Sequence, residues 1–203
     1  MRKLNKSCWR MFSPLITFLI AGLLSPGPNV IMLTSSGARF GAKATWPHLL
    51  GVVIGTGVIG AVCGLGIGAL IVSQPQLRLV LQCVSFAWIL WMAYRLLFPK
   101  TVSKTNAIER PMTFLRGAIF QWVNPKIWAV ALAASSGYSI GLGPFGEAMR
   151  VATGFICVNF FVCLFWTYSG QLLSALLNNE KRWFYFRACM AFFLAVSAIL
   201  VFL

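Results

Sequence analysis

The chain has 203 residues, of which 59% are hydrophobic and 10% are charged, and its 17 basic and three acidic side chains give a formal charge of +14. Soluble domains carry about 25% charged residues, so this composition predicts an all-α integral membrane protein and excludes a sizeable soluble catalytic domain or receptor ectodomain. The basic residues lie singly or in twos and threes between apolar runs, which is typical of membrane loops and argues against a nucleic-acid-binding face.

Six apolar runs follow one another, and each is long enough to cross a hydrocarbon core of about 30 Å as a helix. Residues 1–11 form a basic N-terminal extension, and residues 12–203 form a single transmembrane domain. That domain divides into two groups of three runs, about 12–97 and 114–203. Because three is odd, the two groups are expected to be inverted repeats. The runs are Phe12–Leu33, Leu49–Val72, Leu79–Leu97, Phe114–Ser136, Val151–Leu173 and Trp183–Leu203.

Two prolines interrupt the first run, within Ser25-Pro26-Gly27-Pro28-Asn29. Each proline removes a backbone donor and clashes with the preceding turn. Backbone groups freed in hydrocarbon cost several kcal/mol each unless a partner satisfies them, so a broken helix persists only inside a bundle or beside a polar cavity. The first helix is therefore predicted to be broken at a cavity lined by Pro26, Gly27, Pro28 and Asn29, with a simple proline kink as the alternative.

The second run is rich in glycine, with small residues four apart at 51/55, 60/64 and 64/68. This spacing lets another helix approach closely. Tight packing within one bundle and a homodimer interface through this helix are the two interpretations. His48, the only histidine, lies at the start of the run. It is interpreted as an interfacial residue, with a proton relay as the alternative.

A second break lies within the fourth run, at Asn124-Pro125-Lys126. Lys126 is the only basic residue near the middle of an apolar run, where a lone charge costs at least about 2.5–3.5 kcal/mol on insertion scales. A functional role is the default interpretation, and snorkelling to the nearer interface is the alternative. Paired interruptions in two halves of a transporter point to its binding site. Both breaks are therefore predicted to line one site, together with Asn159 of the fifth run.

Catalytic and metal-binding patterns are missing from the sequence. No carboxylate lies inside an apolar run, and five of the six cysteines lie inside runs without a CxxC pair. We therefore expect no cofactor, metal or disulfide and interpret these thiols as buried small hydrophobes. An intramembrane enzyme would need a nucleophile and base or a metal cluster, so this class is disfavoured. Glu147, just before the fifth run, is the carboxylate best placed to approach the site, and Glu147 and Lys126 are the candidates for proton coupling.

Basic residues are unevenly divided between the two sides of the membrane. The first, third and fifth loops hold ten of them, against Arg78 and Arg150 on the opposite side, plus four in the extension. Ten against six, or ten against two without the extension, predicts that both termini lie outside the cytoplasm. The ten are Arg39, Lys43, Arg95, Lys100, Lys104, Arg110, Arg116, Lys181, Arg182 and Arg187.

In these features the chain resembles the LysE family of amino-acid exporters, including its RhtB branch. The resemblance implies a multi-pass protein of the bacterial inner membrane that exports small amino acids or their derivatives, of the homoserine, threonine and cysteine class. The basic extension departs from the family pattern. The likeness rests on Pro26-Gly27-Pro28-Asn29, the glycine-rich second run, and Gln121-Trp122-Val123-Asn124-Pro125-Lys126.

The same residues suit an amino-acid zwitterion. Lys126 and backbone donors freed at the breaks can bind its carboxylate, while Asn29, Asn124 and Asn159 can accept from its ammonium group. Alternating access would rock one three-helix repeat against the other around this site in the lipid bilayer. A channel or a non-transporting membrane partner is the alternative function.

Overall fold

The structure, a computed structural model, describes residues 14–25, 27–68, 73–98, 110–177 and 179–199. The predicted extension and the predicted site residue Pro26 lie outside these ranges. Within them the chain is helical and no strand occurs, in agreement with the predicted all-α class. The main helices are α1 (Pro14–Leu24), α2 (Pro28–Phe40), α3 (Ala42–Gly64), α4 (Pro75–Leu97), α5 (Phe114–Phe120), α6 (Pro125–Gly137), α7 (Gly143–Ser174) and α8 (Glu180–Ile199), and the 3-10 turn Gln121–Val123 joins α5 to α6.

Both predicted helix breaks are present. α1 and α2 are bent by 60° relative to each other. In the fourth run the chain leaves α5 at Phe120, passes through the 3-10 turn and starts a new helix at Pro125. Pro28 and Pro125 each stand in the first turn of the new helix, where a missing N–H leaves no internal hydrogen bond unmade. These prolines therefore start helices and do not merely bend continuous ones.

Several helices extend beyond the predicted apolar runs. The helix that follows the first break continues to Phe40, past the predicted end at Leu33. The polar residues Thr34, Ser35 and Ser36 end the apolar run, but they are buried within the helix and do not end it. The helix of the second run likewise starts at Ala42 and that of the third run at Pro75, while α7, the helix of the fifth run, has 32 residues. Hydropathy marks the apolar stretch, whereas the helical hydrogen bonds continue through small and polar residues.

Two described helices, α3 and α7, are long and apolar enough to cross a membrane, and the bent pair α1–α2 makes a third. The fourth run is divided into helices of 7 and 13 residues, so neither piece alone has the roughly 20 residues that a crossing needs. Large apolar side chains are exposed along one face of α3, at Leu50, Ile54 and Val58. Contiguous exposed apolar surface of this kind is rare on water-soluble monomers.

The cysteines divide between the core and the outer surface. Cys63 and Cys163 are buried, whereas Cys83, Cys157 and Cys189 are exposed. The prediction that all five are buried is therefore wrong for the last three, because an apolar run in such a bundle also has an outward-facing side.

Corresponding helices of the two halves pack against each other. α3 and α7, the second helices of the two halves, share the most extensive contact, and α4 packs on α8 as third on third. α2 packs on α7, while α3 packs on α5 and α6. An apolar cluster that includes Leu23, Ile127 and Phe155 joins α1, α3, α6 and α7 next to the breaks.

Glycines of α3 let its neighbours approach within the same chain. A Cβ added at Gly51 would lie 2.1 Å from the carbonyl oxygen of Phe114 in α5, and one at Gly64 would lie 2.6 Å from Cα of Ala148 in α7. Both distances are below van der Waals contact. These glycines therefore serve packing inside the bundle, and the homodimer interface stays a prediction.

The helices α2 and α7 cross at two glycines, Gly37 and Gly170. A Cβ at Gly37 would lie 2.1 Å from the carbonyl oxygen of Thr167, and a Cβ at Gly170 would lie 2.1 Å from that of Thr34. Gly37→Ala and Gly170→Ala should each lower the melting temperature in detergent, by a free energy of about 1–3 kcal/mol or more, because backbone atoms cannot move aside cheaply. Gly137→Ala, which meets nothing within 4 Å, is the control. Equal melting temperatures for all three variants would show that the two helices do not cross this closely.

Candidate functional site

A cavity lies where the two breaks meet. Its walls come from the end of α1, the first turn of α2, the first turn of α6 and the middle of α7. Pro125, also predicted at the site, starts α6 without lining the cavity. The predicted residues that do line it are Gly27, Pro28, Asn29, Asn124, Lys126 and Asn159.

Lys126 binds the opposite break. Its Nζ donates to Oγ of Ser25 over 2.8 Å and also to the carbonyl oxygen of Ser25. That carbonyl is one of the groups that the break withdraws from helical hydrogen bonding. The lysine stem passes directly over Gly27, where an added Cβ would lie 2.8 Å from Cδ of Lys126. Lys126 is therefore directed to the cavity, and Gly27 supplies the space for its side chain.

Asn29 makes the second link between the breaks. Its Nδ2 donates to Oε1 of Gln121 over 2.8 Å, and Nε2 of Gln121 donates back to Oδ1 of Asn29 over 3.2 Å. Gln121 is fully buried and also donates to the carbonyl oxygen of Gly117 over 2.8 Å. Each break thus contributes two residues to these links, Ser25 and Asn29 from the first and Gln121 and Lys126 from the second.

Asn124 differs from the other amides of the site because its side chain makes no hydrogen bond to any described residue. It occupies the N-cap of α6, yet it makes no side-chain capping bond. Its side chain is buried, with only 1% of the residue exposed. Neither Oδ1 nor Nδ2 has a partner in the described ranges, and the same holds for Nε1 of Trp166, which also lines the cavity. An unsatisfied buried polar group costs about 1–3 kcal/mol, so these atoms are free for a ligand.

Asn159, by contrast, is already engaged. Its Nδ2 donates to Oγ1 of Thr56 over 2.9 Å, and Sγ of Cys163 donates to its Oδ1 over 3.5 Å. Thr56 in turn donates to the carbonyl oxygen of Val53 over 2.9 Å. Asn159 therefore ties α7 to α3 as well as lining the cavity.

Glu147 lies away from the cavity, although the sequence placed it near the site mouth. Oε1 accepts from Oγ of Ser139 over 3.0 Å and from the backbone N–H groups of Ile140, over 2.7 Å, and Leu142, over 3.3 Å. Oε2 forms a 2.8 Å ion pair with buried Arg150. Oε1 thus holds the loop between α6 and α7, while Oε2 binds Arg150 of α7. Glu147 does not line the cavity.

This arrangement predicts a structural role for Glu147. Glu147→Gln should destabilise the protein by about 3–5 kcal/mol, because the change leaves a buried guanidinium without its counter-charge. Thermal unfolding in detergent measures this, with the exposed Glu180→Gln as the matched control. A Glu147→Gln protein that melts like the wild type but no longer responds to a pH gradient would instead make Glu147 the coupling residue.

The cavity at the breaks is closed in this structure. Its volume is about 10 Å³, which is about the space needed by one water molecule. An amino acid does not fit unless the two breaks move apart. No cluster of three or more metal-ligating side chains occurs in the described part of the chain.

Four residues of the site are not among the predicted ligands. Ser25 and Gln121 bind the opposite break, Thr56 holds Asn159, and Trp166 offers a free indole N–H. Gln121 carries the clearest signal in the sequence, since it is an uncharged polar residue in an apolar run, three residues before Asn124. The others are ordinary residues whose role depends on the fold.

These observations define a helical membrane protein with a polar cavity between two broken helices. The chain belongs to the LysE type translocator family, which matches residues 20–203. The resemblance found in the sequence is thereby confirmed.

Efflux proteins are among the similar curated proteins. A cysteine/O-acetylserine efflux protein of Klebsiella pneumoniae is 29% identical over 62% of this chain and 64% of its own length, so the match spans less than two thirds of that relative. The protein of the same name from Escherichia coli K12 is 25% identical over 85% of this chain and 88% of its own. A leucine efflux protein of Enterobacter sp. strain 638 is 25% identical over 79% of each chain. No solved structure is significantly similar.

Proposed function

We propose that this protein exports a small amino acid or amino-acid derivative across the bacterial inner membrane. Family membership and the efflux function named for its relatives support this proposal. The observation that carries it is the buried, unpartnered amide of Asn124 beside Lys126, in a cavity that both broken helices build. An enzyme is disfavoured because the family consists of translocators.

The substrate carboxylate binds at the positive side of the cavity. α2 and α6 both begin at the cavity, and helix N-termini carry partial positive charge. Lys126 adds a full charge in the first turn of α6. Its present partner, Ser25, is neutral, so a carboxylate can replace that partner in a stronger, charge-assisted bond.

The substrate ammonium group binds at the amides. Oδ1 of Asn124 is free to accept, whereas Oδ1 of Asn29 is now occupied by Gln121 and becomes available when the breaks separate. Asn159 lines the same space from α7. Uncharged acceptors bind an ammonium group less tightly than a carboxylate would, which favours release on the far side.

Transport requires the links between the breaks to open, because the closed cavity is too small for an amino acid. The Asn29–Gln121 and Lys126–Ser25 contacts would exchange for contacts with substrate. Alternating access by two inverted repeats, within one transmembrane domain of residues 12–203, fits the pairing of second helix with second and third with third. A channel, the alternative function, would need a continuous opening at this place.

Six crossings and external termini form the topology that we propose. α4 has 23 residues and α8 has 20, enough for about 30 Å at 1.5 Å per residue. Arg150, one of the two basic residues on the external side, is neutralised by Glu147. A reporter fused after Leu203 should therefore be active only outside the cytoplasm, and activity confined to the cytoplasm would reverse this topology.

Export from cells tests the proposed function. Bacteria that lack their own exporters and are loaded with dipeptides of cysteine, homoserine, threonine or leucine should release at least one of these amino acids faster when they produce this protein. The Lys126→Gln variant, produced to the same level, is the control for leakage. Equal release with and without the wild-type protein for every amino acid would contradict the proposal.

A further inference from the structure

A second and much larger cavity lies between α2, α3, α4 and α5. Its volume is about 780 Å³, which is ample for an amino acid. We call this cavity the vestibule. Four arginines line it, namely Arg39 from α2, Arg95 from α4, Arg110 before α5 and Arg116 from α5. No acidic residue is among its described lining residues.

Two of these guanidinium groups are held against aromatic rings. Cζ of Arg39 lies 5.3 Å from the ring centroid of Phe40, and Cζ of Arg95 lies 5.6 Å from that of Trp91. The contact with Trp91 holds the Arg95 cation in place while leaving its N–H groups able to donate. The vestibule therefore presents positioned donors for an anionic group.

Two buried polar groups of the vestibule wall also lack partners. His48 is 1% exposed and Ser35 is 8% exposed, and both line the vestibule. Nδ1 of His48 and Oγ of Ser35 have no hydrogen-bond partner among the described residues. His48 is thus buried among the helices, and its interfacial position in the membrane stays a prediction. Buried polar groups without a protein partner call for an explanation, which a bound water molecule or a ligand can supply.

The Asn29–Gln121 pair lies along the chain between residues that line the vestibule and residues that line the small cavity. Phe120 lines the vestibule and Asn124 lines the small cavity, and Gln121 lies between them in the chain. In α2, Asn29 lines the small cavity, whereas Met32, one turn later, lines the vestibule. Opening this amide pair would join the two spaces.

We infer that the vestibule is the first binding site for the exported substrate and that it selects amino acids with a carboxylate and no cationic side chain. This inference rests on the proposed function and specifies its substrate class. Four arginines in the vestibule and Lys126 in the small cavity repel a second positive charge, and none of the described residues that line either space is acidic. Dibasic amino acids are therefore excluded as substrates.

A pair of nearly isosteric competitors tests the selectivity. Homoserine and 2,4-diaminobutyrate differ only by a hydroxyl in place of an ammonium group. In proteoliposomes that exchange a labelled transported amino acid, homoserine should compete at least about tenfold more strongly than diaminobutyrate. A tenfold ratio corresponds to a difference of about 1.4 kcal/mol in binding free energy. Equal competition would overturn the inference, although exchange itself would still support the proposed function.

The arginines are tested by a double variant, Arg95→Gln with Arg116→Gln. This variant should need about a tenfold higher homoserine concentration for half-maximal competition. The difference in competing strength between homoserine and diaminobutyrate should become smaller than in the wild type. Lys181→Gln, an exposed basic residue of α8, is the control for loss of charge outside the vestibule. A double variant with the same substrate dependence as Lys181→Gln would overturn the inference.

An anionic lipid headgroup is the competing occupant of a basic pocket between helices. The assay is therefore repeated in vesicles of pure phosphatidylcholine and in vesicles with added phosphatidylglycerol. If the arginines bind substrate, the double variant should raise the homoserine concentration for half-maximal competition equally in both lipid compositions. A shift that appears only with phosphatidylglycerol would assign the arginines to lipid and overturn the inference.

Discussion

Lys126→Gln is expected to raise the substrate concentration for half-maximal transport by about ten- to a hundredfold, the equivalent of losing one hydrogen bond to a charged group. Glutamine keeps N–H groups that can donate to Ser25, so the tie between the breaks is retained while the charge is lost. The amount of inserted protein and its melting temperature should therefore stay close to those of the wild type.

Lys126→Met separates the electrostatic role from the structural one. Methionine removes both the charge and the donor, so the carbonyl of Ser25 loses the partner that it has in this structure. We expect the same loss of transport as in Lys126→Gln, with an added drop in melting temperature. If Lys126→Gln exchanges substrate normally and fails only to respond to a pH gradient, Lys126 carries the proton. Full gradient-driven transport by Lys126→Gln would contradict both roles.

Asn124→Ala and Asn159→Ala should have opposite effects. Asn124 makes no side-chain hydrogen bond in the described part of the chain, so its loss should leave the melting temperature unchanged or higher. It should weaken substrate binding by about 5- to 30-fold, because a hydrogen bond to the ligand is lost. Asn159 links α7 to α3 through Thr56. Its replacement should destabilise the protein by about 0.6–1.7 kcal/mol, which spans the average and the largest contribution of hydrogen bonds between membrane helices.

Melting curves and binding isotherms on the same purified samples make this comparison. Thr56→Val serves as a control for Asn159, since it removes the same interhelical contact without touching the cavity. If Asn124→Ala lowers only the yield and stability of the protein, Asn124 is a structural cap and not a ligand.

The breaks could be predicted from the sequence because proline chemistry is local. Pro28 and Pro125 have no N–H wherever they stand, which favours the start or the interruption of a helix at each, whereas Pro47 lies inside the continuous helix α3. The cost of a charge in hydrocarbon likewise singles out Lys126. These local rules placed six predicted residues around one cavity.

The contacts of those residues could not be predicted, since they depend on which helices meet. Nothing in the local sequence pairs Asn29 with Gln121, 92 positions away, or leaves Asn124 unpaired. The position of Glu147 away from the cavity was hidden for the same reason, because it follows from the loop that Glu147 holds. The vestibule was also hidden, because its arginines come from separate segments and look in sequence like ordinary basic loop residues.

Counterflow in proteoliposomes tests most directly whether the two broken helices form one amino-acid transport site. Vesicles loaded with unlabelled homoserine, O-acetylserine, cysteine or leucine are placed in the same labelled compound, and accumulation of label is measured. We predict that wild-type protein accumulates label for at least one of these substrates. Lys126 and Asn124 line the same cavity, so the Lys126→Gln and Asn124→Ala variants should both lose most of this accumulation at low substrate concentration. Wild-type accumulation no greater than in protein-free vesicles, or unaltered counterflow in both variants, would contradict this account.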